Sequence, residues 1–185
     1  TQKELDTAYD QAAYAPNLTE VLDRYSQRSE VARAALGEPR RFCYGDTEAE
    51  TLDWFAPAVP GAPINLFIHG GSWRTGHARQ YHFPAQLFVP AGAHCVVPDF
   101  VSVLDTGGDL LPLVRQLQRA VAWVARNASR WGADPQRIFV SGHSSGAHLA
   151  ACVALTDWRR DFGLPGDLVK GLLCGGGIYD LQPVM

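Results

Sequence analysis

At 185 residues the chain is long enough for one domain with a substantial core. Its 46% hydrophobic and 19% charged composition excludes the disordered and fibrous classes. A net charge of -3 without a basic stripe argues against a nucleic-acid partner, and no apolar run approaches the roughly 18 residues a membrane span requires.

The first fifteen residues, TQKELDTAYDQAAYA, are polar and mixed in charge, unlike a secretory leader. Cys43, Cys95, Cys152 and Cys174 lie far apart in apolar surroundings. That spacing suits neither a zinc site nor a disulfide framework, and reads as buried free thiols in a reducing cytoplasm. Neither metal nor cofactor is expected.

Residues 17–36 predict a helix, with Asn17 as its cap and Glu20 in the capping-box position; Gly37 and Pro39 stop it. Short strands are expected near 40–44 and 51–55, and the Pro/Gly-rich stretch from Pro57 to Pro63 reads as a turn. The apolar runs Ile64–Ile68 and His94–Val97 are short and bounded by turn residues, so both read as buried strands, with helix over 78–91 between them. Residues 110–127 keep one apolar face through Leu113, Leu117, Val121 and Val124 and predict a helix capped by Asp109. Gly132–Pro135 reads as a turn, Ile138–Val140 as a strand, 145–155 as a helix and Val169–Cys174 as a last strand. Asp134-Pro135 and Asp157-Trp158 supply turn and cap chemistry. Strands that are continuous apolar runs and alternate with helices predict an α/β fold, a doubly wound, mostly parallel sheet covered on both faces.

Two motifs carry chemistry. Gly142-His143-Ser144-Ser145-Gly146 is a G-x-S-x-G sequence between a predicted strand and a predicted helix, the setting of a nucleophile elbow. Glycines flank the serine because a Cβ at either place would strike the adjoining strand or helix. The tight turn pushes the Ser144 hydroxyl outward, and the helix end behind it offers the Ser145 N–H to a developing oxyanion. A phosphate loop would want Lys in a G-x-x-x-x-G-K pattern, which is absent. His69-Gly70-Gly71-Ser72-Trp73 closes an earlier strand, where Gly71 and Ser72 are the expected further N–H donors. Trp73 reads equally as a wall of the substrate pocket and as packing beneath the loop.

HGGSW (69–73), GHSSGAHLA (142–150) and GIYDLQP (177–183) together resemble the arylformamidase (kynurenine formamidase) and carboxylesterase branch of the α/β-hydrolases, from about residue 40 onward. The resemblance implies acyl transfer to water through an acyl-enzyme on Ser144, without metal, on a small ester or an N-formyl aryl amide such as N-formylkynurenine. It also implies a structural rather than acidic role for Asp180. In this fold the acid and then the histidine follow the nucleophile along the chain. Of the six histidines, His69, His77, His82, His94 and His143 precede Ser144, and His148, four residues after it, should point into packing. His143 reads as scaffold. The expectation is therefore a domain incomplete at its C-terminus, whose remaining strands, with an Asp/Glu and a His, come from a further segment or a second polypeptide. A homodimer stays open. The competing reading is a non-catalytic ligand-binding module of the same fold; a lipase, which would show an apolar lid, is weaker.

Overall fold

A computed structural model describes residues 1–182. Helices α1 (Gln2–Tyr9), α2 (Gln11–Tyr14) and α3 (Leu18–Leu36) lead into strands β1 (Arg40–Cys43), β2 (Thr51–Phe55) and β3 (Ala62–Ile68). A 3-10 turn (Ala78–Tyr81) and α4 (Ala85–Phe88) precede β4 (His94–Pro98). Then come α5 (Leu111–Asn127), β5 (Ala133–His143), α6 (Ser145–Ala154), α7 (Trp158–Phe162) and β6 (Val169–Gly175). The sheet order is β1-β2-β4-β3-β5-β6. β1 and β2 are antiparallel to their neighbours; β4, β3, β5 and β6 run parallel, as the short apolar runs predicted.

The side-chain alternation of the central strands sorts the core into two layers. Ile64, Leu66 and Ile68 of β3 join Ile138 and Val140 of β5 beneath Leu117 and Val121 of α5 and Leu149 of α6. On the other face Phe67, Cys95 and Val97 pack against Tyr81, Ala85 and the Tyr25 ring of α3. The second face is covered over β2, β4 and β3 but not over β5 and β6, so the expected two-sided cover holds only in part among the described residues. Phe139 is 40% exposed and Leu173 67% exposed, and β6 is an edge strand.

Several local expectations are corrected. Asn17 makes no side-chain cap: a turn closed by Leu18 N–H on the Ala15 carbonyl runs through it, and its backbone, at φ −101° and ψ 18°, lies away from the extended conformation of a capping residue; Glu20 instead accepts from Arg24 at 2.6 Å. A capping box forms at Thr1 and Glu4. The helix expected over 78–91 breaks in two around Pro84, which cannot donate. Asp109 Oδ1 accepts from the Leu111 N–H at 2.9 Å, but Leu110 is the N-cap residue. The turn at Gly132–Pro135 is folded into β5 as an irregularity, with Gly132 left-handed and Asp134 Oδ1 accepting from Gln136 N–H. Asp157 caps α7 as expected. Cys95 is buried and its thiol is pushed up to about 12 by burial, whereas Cys43 lies on an edge strand and is exposed.

One buried polar network fastens α3 to the sheet. Asp53 on β2 accepts a fork from Arg41 at 2.7 and 2.8 Å and lies 2.8 Å from His82 Nε2. Arg33 on α3 lies 2.9 Å from His82 Nδ1 and donates to the Arg79 carbonyl. A guanidinium only donates, so Nδ1 is the bare nitrogen and Nε2–H donates to Asp53. Burial would raise the Asp53 carboxyl, but the hydrogen bonds from Arg41 and His82 hold it below the usual carboxylate range.

Candidate active site

Ser144 stands where β5 turns into α6, with φ 56° and ψ −128°. A non-glycine residue in this left-handed region costs about 1–2 kcal/mol, so the surroundings must impose it. They do so on both sides. A Cβ on Gly142 would overlap the Gly146 carbonyl, and a Cβ on Gly146 would overlap the carbonyl oxygens of Ile68 and His69. The Ser144 N–H donates to the Gly175 carbonyl at 2.7 Å, pinning the elbow to the end of β6.

The loop after β3 lies directly against this elbow. A Cβ on Gly70 would sit 2.9 Å from the His143 carbonyl oxygen and 3.2 Å from Ser144 Cβ. Three consecutive residues then take positive φ: Gly71 at 121°, Ser72 at 54° and Trp73 at 60°. The turn closes through Arg74 and Thr75 N–H groups donating to the Gly71 carbonyl, both at 3.0 Å. The N–H groups of Gly71, Ser72 and Ser145 have no acceptor among the described residues. The two motifs, some 70 residues apart in sequence, thus bring three unpaired donors beside one strained serine.

Trp73 packs beneath the loop. Its indole N–H donates to His148 Nδ1 at 3.3 Å and its backbone N–H to Ser145 Oγ at 3.2 Å; the residue also borders a cleft of about 720 Å³ with His69, Phe100 and Arg74, which Ser144, Ser145, Gly71 and Ser72 do not line. His69 is wholly buried between the rings of Tyr81 and Phe100, at 5.1 and 4.5 Å. Its Nδ1 lies 2.8 Å from the Gly70 carbonyl and Nε2 4.0 Å from Asp99 Oδ1, and burial holds its pKa below the ordinary imidazole range.

No histidine bonds to the Ser144 hydroxyl among the described residues. His82, His94 and His148 are engaged with Asp53, Trp54 and Trp73. His143 stands edge-on to Tyr25 at 6.0 Å, and His77 lies 4.0 Å from Asp99. Asp180 is exposed and accepts from the Gln182 N–H at 3.1 Å, closing a turn. Sequence reasoning missed the pair Trp73–His148, which no local spacing signals. Among the described residues no group of His, Cys, Asp or Glu is arranged to hold a metal ion, and no helix is long and apolar enough to cross a membrane.

A doubly wound sheet with a left-handed serine between β5 and the next helix defines a domain of the α/β-hydrolase fold. The BD-FAE family model matches residues 52–167, and the chain belongs to that family. Across its whole length it is 30% identical to a kynurenine formamidase of Danio rerio, of which it spans 63%. The crystal structure of a protein provisionally described as a thioesterase, from Silicibacter sp., superposes with a TM-score of 0.84 at 23% identity, over 98% of this chain and 66% of that one. A butyrate-bound esterase of Thermogutta terrifontis is 26% identical, with a TM-score of 0.58 over 63% of this chain and 44% of that one.

Proposed function

We propose that this chain is the nucleophile-bearing part of a serine hydrolase acting on small carboxylic esters or N-formyl aryl amides, with N-formylkynurenine the named candidate. The observation that carries the reading is the left-handed Ser144 set beside the unpaired N–H groups of Gly71, Ser72 and Ser145. The formamidase and esterase relatives support the choice of acyl group. In this mechanism Ser144 Oγ attacks the carbonyl carbon while a histidine takes its proton. The three N–H groups hold the oxyanion, the C–O or C–N bond breaks with the leaving group protonated by that histidine, and water then releases the acyl group. The histidine and its carboxylate partner are assigned to strand-end loops outside the described residues, on a further segment or a second polypeptide, completing the domain. The four free cysteines support a cytoplasmic setting.

The competing reading is a ligand-binding module of the same fold without turnover. One experiment separates them. In the intact protein a fluorophosphonate should modify Ser144, and Ser144→Ala should abolish both labelling and hydrolysis of a nitrophenyl ester. An intact, folded protein that never forms the Ser144 adduct would leave the binding module standing. Cleavage of aryl esters with formylkynurenine untouched would narrow the activity to esterase.

A further inference from the structure

Trp73 is held in a left-handed conformation by bonds on every side. Its N–H donates to Ser145 Oγ at 3.2 Å, its carbonyl accepts from Val103 N–H at 2.9 Å, and its indole N–H reaches His148 Nδ1 at 3.3 Å. The indole and imidazole rings meet edge to face, 5.6 Å apart at 88°. His148 sits on α6 one turn beyond Ser144 and is 9% exposed. An indole nitrogen only donates, so Nδ1 of His148 must be bare and its proton must lie on Nε2, which faces Cys152 Sγ at 3.6 Å.

Resting on the hydrolase reading, we infer that His148 is a positioning residue for the oxyanion loop. By accepting the indole N–H it ties Trp73 to the nucleophile helix. The Gly71 and Ser72 donors, which immediately precede Trp73 on the same left-handed turn, are thereby set against Ser144. The two bonds from Trp73 both end on α6, so the loop and the nucleophile share one rigid support. Without the side-chain bond the left-handed Ser72 and Trp73 lose a restraint, and their backbone can relax toward ordinary φ values. The loop donors would then turn away from the developing oxyanion while the substrate cleft stays open.

The test uses the intact protein. His148→Leu removes the acceptor, Trp73→Phe removes the donor, and His148→Asn restores an acceptor oxygen near the Nδ1 position. Misaimed oxyanion donors cost transition-state rather than ground-state binding, so His148→Leu should lower kcat by about 10–100-fold with KM within about twofold. Trp73→Phe should match it, the double variant should be no worse than either single change, and His148→Asn should recover most of the loss. Independently of turnover, the Trp73 indole N–H resonance in ¹⁵N-labelled protein should shift and exchange faster in His148→Leu than in the parent. Parental kcat in His148→Leu, additive losses in the double variant, or an unmoved indole resonance would each overturn the inference. If Ser144-dependent turnover is absent in the parent, the hydrolase reading falls, and the indole resonance still decides whether the latch exists.

Discussion

Gly146→Ala adds a single methyl group where α6 crosses the end of β3. That methyl would overlap the carbonyl oxygens of both Ile68 and His69, which are backbone atoms and cannot rotate aside. Either α6 or the end of β3 must retreat by on the order of 1 Å to restore ordinary contact, and overpacking of this kind costs about 1–3 kcal/mol. Alanine returns about 0.5–1 kcal/mol through helix propensity, leaving a net loss of about 0–2.5 kcal/mol. The effect on catalysis should be larger, because the same shift moves Ser144 relative to Gly71 and Ser72, and a 1 Å misplacement costs on the order of 10²-fold in rate. Urea denaturation and nitrophenyl-ester kinetics on the intact protein separate the two effects. Gly166→Ala is the control: its nearest neighbour would be Arg159 Nη2 at 4.0 Å, so both readouts should stay near the parent. A Gly146→Ala protein with parental kcat and an unchanged midpoint would refute the claim that the elbow is held by backbone contact with β3.

Asp53→Ala should destabilise the fold by about 1–3 kcal/mol in chemical denaturation, because it strands the buried His82 Nε2–H donor without an acceptor and removes the anchor of Arg41. Gly71→Ala should lower kcat by about 10²-fold with little change in the denaturation midpoint. Its φ of 121° suits glycine, and a Cβ there would overlap the Thr75 carbonyl on which the loop closes. Stability should fall as pH drops below about 6.5, since burial depresses the folded-state pKa of His69, His94 and His148. The unfolded chain then takes up protons that the native state refuses, so their contribution is complete above the unfolded value and disappears as pH falls through the folded ones. Asp53, also depressed, adds a second loss below about pH 4, which a urea-midpoint titration should resolve as a separate step.

The parallel strands were legible because each is built on a short apolar run closed by glycine or proline, and buried parallel strands have no polar face to disguise them. Their order was not. Nothing in Ile64–Ile68 says that it pairs with both His94–Pro98 and Ala133–His143, which depends on crossovers made by α5 and the segment before β4. Caps were legible in composition but not in position. Asn17 and Asp109 both lie at helix starts, yet a preceding turn removed the first from its role, and the second bonds to a helix whose N-cap is its neighbour. The break at Pro84 was written in the sequence, since proline cannot donate, and the expectation of one helix over 78–91 passed over it.

The candidate site divides along a physical line. At Gly142 and Gly146 only a hydrogen fits, so the need for close approach leaves a mark on residue type at fixed spacing around Ser144. The same holds for Gly70 and Gly71 in the loop, and both motifs could therefore be read locally. Tryptophan and histidine carry no such mark, because each serves equally well in a core, a pocket wall or a hydrogen bond. Trp73 and His148 are joined across 75 positions, and His82 and Asp53 across 29, by contacts that exist only once the sheet has brought their strands and helices together. Backbone constraint writes itself into neighbouring residues, whereas side-chain constraint is written into distant ones. The parts of this site that hold the serine were therefore legible in the sequence, and those that hold the loop against it emerged only with the fold.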